Sequence, residues 1–148
     1  MDIRDAVEED LDLLKEGLLE VRGIERRPAG DIPVTDADIE SFRKGIGNRT
    51  VRIISNEEGR TSGFIYYRTD FAVPYVHGQF LWIDIIYIRE RERGKGLGTA
   101  LYRDAISYAR SNGLDRIVID IFQSNIRSRK FHDGMDFDPF YTIYIKKL

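Results

Sequence analysis

Arg93-Gly94-Lys95-Gly96-Leu97-Gly98-Thr99 is the stretch on which the reading of this chain turns. It follows a nearly apolar run, Leu81-Trp82-Ile83-Asp84-Ile85-Ile86-Tyr87-Ile88, within a predicted strand over 79–88. A strand so apolar is central, with both faces covered. After the stretch, Leu101, Ala105, Ile106 and Ala109 recur at helical spacing, which predicts a helix over 98–111. Three alternating glycines between strand and helix make a turn without Cβ bulk. Several backbone N–H groups can then converge on an anion at the helix start, and Arg93 and Lys95 add positive charge there. Two readings stand on the glycines alone: a phosphate or pyrophosphate cradle, or a plain strand-to-helix turn. The spacing is not that of a P-loop, which needs Gly-x-x-x-x-Gly-Lys-Ser/Thr. Nor is it Gly-x-Gly-x-x-Gly of dinucleotide-binding folds.

Downstream, Asn112-Gly113 closes the helix. Arg116–Phe122 reads as a second buried strand through Ile117-Val118-Ile119-Asp120-Ile121. Ser124-Asn125 caps a helix to about Asp133, and Tyr141–Lys147 reads as a last strand. Upstream, Asp2–Val7 alternates as a short strand. Leu11, Leu14, Leu18 and Val21 then form the stripe of a helix over 8–22, ended by Gly23. Residues 23–34, with Pro28, Gly30 and Pro33, read as a loop. Thr35 and Asp38 form an imperfect capping box opening a helix to about Lys44. Strands over 49–55 and 61–69, joined by the Asn56–Gly59 turn, read as a hairpin. The strand–helix–strand unit after residue 79 implies a right-handed parallel crossover, and the remainder reads as antiparallel. The fold class is therefore α+β: a mixed, mainly antiparallel sheet with a parallel central crossover, in one domain over 1–148.

Composition narrows the function. With 148 residues the chain can bury a core without staples, and with no cysteine it has no disulfide, thiolate metal site or Cys nucleophile. No apolar run reaches a membrane span, and the acidic start (Asp2, Asp5, Glu8, Glu9, Asp10) predicts a cytoplasmic protein without a secretory leader. The net charge of −2 hides a division. Residues 1–40 carry 13 acids and 5 bases, whereas residues 89–130 carry 10 bases and 5 acids. The basic block predicts an anionic partner. Glu90, Glu92 and Asp104 interrupt it, which argues against nucleic acid. The only two histidines, His77 and His132, stand far apart with no cysteine nearby, so no metal site is expected.

Ile88-Arg89-Glu90-Arg91-Glu92-Arg93-Gly94-Lys95-Gly96-Leu97-Gly98 resembles the Val-x-Pro-Glu-x-Arg-Gly-x-Gly-x-Gly signature of the GNAT superfamily of N-acetyltransferases. Asn125, Ser128, Phe131, His132 and Phe137 resemble that family's second block, Asn-x-x-Ala-x-x-Phe/Leu-Tyr-x-x-x-Gly-Phe. The element order is similar over essentially the whole chain. The resemblance implies acetyl-CoA as acyl donor, with no metal. It implies that the backbone of Arg93, Gly94, Lys95, Gly96, Leu97, Gly98 and Thr99 binds the pyrophosphate. It implies that Ile86, Tyr87 and Ile88, at a bulged and splayed strand end, pair with the pantetheine arm. Asn125 and Ser128 would meet the cofactor from the other side, and some of Arg127, Arg129 and Lys130 the 3′-phosphate. Homodimers are common in the family. Glu90 stands for the usual Pro, and Asp136 for the usual Gly, so the turn before Phe137 should be built differently. His132 stands for the usual Tyr.

Two residues are candidate catalysts. Asp84 interrupts an apolar strand, where burial would raise its pKa and suit it as a base toward an ammonium; otherwise it pairs with an Arg or hydroxyl and fixes the sheet. By the resemblance His132 protonates the departing thiolate; otherwise it is a helix-surface histidine. The leading expectation is direct transfer of an acetyl group to a primary amine, such as a cationic small amine, a polyamine or a lysine or N-terminal amine. The alternative is a non-catalytic acyl-CoA-binding sensor. The acidic first 40 residues, on the presumed acceptor side, motivate a cationic acceptor.

Overall fold

The structure, a computed structural model, describes residues 1–25 and 32–148. Strand β1 (Asp2–Asp5) leads through a 3-10 turn at Glu8–Asp10 into helix α1 (Leu11–Glu25). Then come α2 (Asp36–Gly47), β2 (Val51–Ser55), β3 (Thr61–Arg68) and β4 (Leu81–Ile88). Helix α3 (Leu97–Ser111), β5 (Ile117–Val118) and α4 (Ile126–Asp133) complete the order. The five strands form one sheet in sequence order. β1 to β4 are antiparallel neighbours, and β5 joins β4 in parallel. The fold is thus the mixed α+β sheet that the periodicities predict.

Two apolar layers flank the sheet. Phe64, Tyr66, Ile85 and Tyr87 face α1 and α2, packing on Leu14 and Phe42. Ile65, Tyr67, Leu81 and Ile83 face α3, packing on Leu101, Tyr102 and Ala105. Helix α1 lies close on β4 because residue 17 is glycine: a Cβ there would stand 2.5 Å from Phe64 Cε1 and 2.8 Å from Tyr87. Helix α2 starts with the reciprocal cap that its sequence suggests. Thr35 N–H donates to the Asp38 carboxylate at 2.8 Å, and Asp38 N–H donates to Thr35 Oγ1 at 3.4 Å.

Three expectations need correction. The strand read over Arg116–Phe122 keeps ladder pairs only at Ile117 and Val118, because β4 and β5 diverge beyond them. The last strand, over Tyr141–Lys147, does not form: residues 138–148 have no assigned secondary structure and pair with no strand. The turn before Phe137 is not built without its glycine conformation, since Asp136 itself adopts φ +60°. Aspartate enters the left-handed region more readily than most side chains. The loop read over 23–34 falls partly outside the described residues, and α1 runs through Gly23 to Glu25.

Candidate functional site: the split between β4 and β5

The last pairs between β4 and β5 are Leu81 with Ile117 and Trp82 with Val118, yet β4 runs on to Ile88. The sheet therefore opens along half of β4. On the other side of β4, Tyr66 pairs with Ile85 and Tyr67 with Ile83, so Asp84 is the extra residue of a β-bulge. A bulge bends its strand and increases local twist, which is the physical cause of the divergence. It also resets the strand's alternation. Leu81 N–H donates to Arg116 O on the β5 side, whereas Arg89 N–H donates to Ser62 O on the β3 side. Counting back from Arg89, the N–H and C=O groups of Ile86 and Ile88 face the opened side, and those of Tyr87 face β3.

The split leads to the glycine-rich turn. Gly94 and Gly96 take φ values of +77° and +80°, a region that strains any residue carrying a Cβ. Gly96 is the N-cap of α3 and supplies no capping side chain. The N–H groups of Leu97, Gly98 and Thr99 accordingly have no partner within the helix, and they open at its positive end. The side chains around this turn point elsewhere. Arg93 Nε donates to Ile88 O at 2.7 Å, and its guanidinium pairs with Glu20 of α1. Lys95 Nζ pairs with Glu92 at 3.0 Å. The turn thus offers an anion its backbone, while Arg93 satisfies a carbonyl that the split has left unpaired.

Glu20 belongs to a network that sequence reading missed. Tyr87 Oη lies 3.0 Å from a carboxylate oxygen of both Glu16 and Glu20, and Arg89 forks onto Glu16 at 2.8 and 3.0 Å. Burial first, and then these two carboxylates, push the Tyr87 phenol up, so it stays a donor. Two glutamates four apart on α1 were the available signal, because that spacing puts them on one face.

Asp84 lies on the α1–α2 face with Trp82, whose Nε1 donates to it at 3.3 Å. Arg68 Nη1 stands 3.8 Å away, and a third of the Asp84 side chain is exposed. Burial raises its pKa above the ordinary aspartate value, outweighing Trp82 and Arg68. Asp120 lies two residues beyond Val118, as Asp84 lies two beyond Trp82. Ile117 and Ile119 pack toward α3, so alternation turns Asp120 to the Asp84 face. Burial and the charge of Asp84 raise Asp120 as well. Like Asp84, it interrupts an apolar run, so the same sequence signal marks it.

His132 is no surface residue: it is 2% exposed. Its Nδ1–H donates to Ser128 O at 2.7 Å, which leaves Nε2 to accept from Tyr102 Oη at 2.6 Å. Burial pulls its pKa below 6.5. Nε2 thus bonds across to α3 and Nδ1 within α4, so both ring nitrogens are engaged in hydrogen bonds inside the protein. Asn125 caps α4 by accepting from Ser128 N–H at 3.1 Å. Phe131 reaches across to the glycine-rich turn, where a Cβ on Gly98 would lie 3.2 Å from its Cζ.

These features define a class: a mixed α+β domain whose sheet opens beside an uncapped helix N-terminus. The acetyltransferase (GNAT) family model matches residues 19–137, and the chain belongs to that family. Solved structures agree in fold. A mutant of the BH1408 protein from Bacillus halodurans superposes with a TM-score of 0.80, at 20% identity over 100% of both chains. The aminoglycoside 6'-N-acetyltransferase AAC(6')-IG from Acinetobacter haemolyticus gives 0.70, at 17% identity over 100% of this chain and 99% of its own. AAC(6')-Iy, solved with the bisubstrate analogue CoA-S-monomethyl-acetylneamine, gives 0.71, at 17% identity over 99% and 97%. No curated protein sequence matches the chain. Among the described residues no helix is long and apolar enough to cross a membrane, and no group of acidic or histidine side chains is arranged to hold a metal.

Proposed function

We propose that this protein is an N-acetyltransferase that moves the acetyl group of acetyl-CoA directly onto a primary amine. The observation that carries the reading is the split itself. β4 turns the backbone of Ile86 and the N–H of Ile88 to the opened side, the Ile88 carbonyl being taken by Arg93, and the split ends at the uncapped turn of α3. This suits an elongated ligand with a thioester at one end and a diphosphate at the other. The residues fit acetyl-CoA on two counts. The positive-φ turn at Gly94 and Gly96 has nothing within 4 Å of where a Cβ would stand, so its approach is open. The free N–H groups at Leu97, Gly98 and Thr99 match a diphosphate.

Acetyl-CoA, when bound, supplies the activated acyl group. Arg93 to Thr99 would hold its diphosphate through the backbone. Ile86 and Ile88 would pair with the pantetheine arm, and an N–H of this strand end would stabilise negative charge developing on the thioester oxygen. Tyr87 would fix the strand through Glu16 and Glu20. Asn125 and Ser128 would close the far side at the head of α4. Asp84 would accept the proton of the acceptor ammonium, since its raised pKa makes it a better base than an ordinary aspartate. His132 holds α4 against α3, so the thiolate leaves without a proton from it; a thiol of pKa about 8.5 is a competent leaving group. The upward shifts of Asp84 and Asp120 favour a cationic acceptor, whose charge would stabilise both carboxylates.

Titration calorimetry with acetyl-CoA, followed by thiol release against a panel of amines, tests the proposal. The chain has no cysteine, so a thiol reagent reports only free CoA. Binding with turnover of at least one cationic amine is expected. Absence of binding at millimolar acetyl-CoA would sink the reading; binding without turnover of any amine would favour an acyl-CoA sensor.

A further inference from the structure

We propose that Arg68 is a positioning residue for Asp84: a counter-charge held 3.8 Å away, near enough to keep the carboxylate ionised and too far to occupy its lone pairs. The inference rests on Asp84 as the base of the proposed transfer. A base needs negative charge and a free lone pair at the same time. An apolar strand opposes the first, and a direct ion pair would take the second. The geometry around Asp84 meets both demands.

Arg68 ends β3 and stands opposite Trp82 in the ladder. Its Nη1 lies 3.8 Å from Asp84 Oδ1, beyond hydrogen-bond reach. Trp82 Nε1 donates to the same oxygen at 3.3 Å. Among the described residues nothing donates to Oδ2, so that oxygen is open to an acceptor. Two tethers keep Arg68 at its distance. Its Nε donates to Asp70 at 3.1 Å, and its guanidinium lies 5.3 Å from the centroid of the Phe71 ring. Phe71 in turn stacks on Trp82, with ring centroids 4.4 Å apart. Lys44, in the last turn of α2, donates to the other oxygen of Asp70 at 3.0 Å. Lys44 first, and then Arg68, hold Asp70 at a pKa of about 2, so this anchor keeps its charge at neutral pH. The chain of contacts from Arg68 through Phe71 and Trp82 thus returns to Asp84.

The other titratable groups around Asp84 work in the opposite sense. Asp70 after β3, Asp38 on α2 and Asp120 after β5 each bring negative charge toward it. Arg22 of α1 is committed to Asp38, forking onto it at 2.7 and 2.8 Å. Tyr66 of β3 stays a neutral phenol, because burial raises its pKa. Burial first, and then the neighbouring acids, favour the protonated form of Asp84, and Arg68 is the cation that opposes them. An arginine this close lowers an aspartate by about 1–3 pH units. The lower end applies here, because the Arg68 and Asp84 side chains are 29% and 33% exposed and water screens the pair.

Carbon-13 NMR titration of the Asp84 carboxyl in the unliganded chain tests this, the resonance being the one that Asp84→Asn removes. Arg68→Gln should raise the Asp84 midpoint by about 1 pH unit. Arg68→Met keeps an apolar stem against Phe71 and should do the same, which covers a failure of the first variant to fold. An unmoved midpoint in a folded variant overturns the proposal. Asp70→Asn removes a negative charge and also frees Arg68 to close on Asp84, so it should lower the midpoint. In the Arg68→Gln background only the charge effect is left, and the lowering should be smaller. Equal lowering with and without Arg68 would overturn the claim that Asp70 holds Arg68 off. Steady-state kinetics separates this from the catalytic reading. The acid limb of kcat should move with the NMR midpoint in each variant. A midpoint that moves while the limb stays would support the action of Arg68 on Asp84 and remove Asp84 as the base.

Discussion

Replacing Gly96 by alanine isolates the backbone's part in the glycine-rich turn. Residue 96 sits at φ +80° as the N-cap of α3, and an added Cβ meets nothing within 4 Å. Packing therefore contributes no penalty, and the cost is the left-handed conformation alone, about 1–2 kcal/mol for an L side chain. Alanine also narrows the unfolded ensemble, which returns about 0.4–1 kcal/mol. The net destabilisation is about 1 kcal/mol. At about 2.1 cal/mol/K per residue, the unfolding entropy of 148 residues is about 0.3 kcal/mol/K, so the melting midpoint falls by about 3 °C. Whatever part of that strain the free chain sheds by relaxing the turn, bound acetyl-CoA would have to restore, so affinity drops by up to a factor of about 5–30, the equivalent of about 1–2 kcal/mol. Gly23→Ala is the control. It makes the same chemical change on the exposed surface of α1, where a Cβ also meets nothing, and φ is not positive. It should leave affinity unchanged and raise the midpoint slightly, because alanine favours a helix by up to about 1 kcal/mol over glycine. Thermal unfolding by circular dichroism and titration calorimetry read both quantities. A Gly96→Ala chain that melts and binds like the wild type would refute the reasoning.

Three further outcomes follow from the site. Asp84→Asn should lower kcat by about 10²–10⁴-fold with acetyl-CoA affinity unchanged. Wild-type turnover should fall with decreasing pH through a pKa above the 3.8 of an ordinary aspartate, and the steady-state pH profile of the variant should lack that limb. Glu20→Gln loosens the hold on Arg93 and Tyr87, so KM for acetyl-CoA should rise several-fold, the worth of about 1 kcal/mol, while kcat changes less; equal KM values would remove the positioning role. His132→Phe leaves the Tyr102 hydroxyl without its partner in the core, at a cost of about 1–3 kcal/mol in urea unfolding. The folded-state pKa of His132 lies below 6.5, so the unfolded chain takes up the proton first. Wild-type stability should therefore decline as pH falls below 6.5 toward the folded pKa, and the variant should lose that part of the decline. A variant with the same pH slope as the wild type would contradict the burial assignment.

The parts of this fold that sequence reveals are those fixed by neighbours along the chain. Thr35 and Asp38 announce their helix because both partners of the cap lie within one turn. Gly94 and Gly96 announce their turn because only local φ values demand them. The β4 run reveals a covered strand, but nothing local reveals that Asp84 is a bulge, because that depends on register against Tyr66 and Tyr67. The same nonlocality hides the length of β5. The apolar run from Ile117 to Ile121 predicts a covered strand, yet none of these residues is fully buried, because β4 has already turned away. Tyr141 to Lys147 have the composition of a strand and no neighbour to complete one. That His132 is buried and not on the helix surface is equally hidden, because its cover includes Tyr102, thirty residues away. The Arg93 side chain, read as part of the anion site, is instead committed to Glu20, which helical spacing alone does not pair with it.

The central claim is that the split and the turn of α3 form one acetyl-CoA site. Amide hydrogen exchange with and without acetyl-CoA tests it most directly. Slowed exchange is predicted at residues 86–88 and 94–100, with a weaker effect at 125–128. Unchanged exchange at these residues under saturating ligand, or protection confined to another face of the molecule, would contradict it.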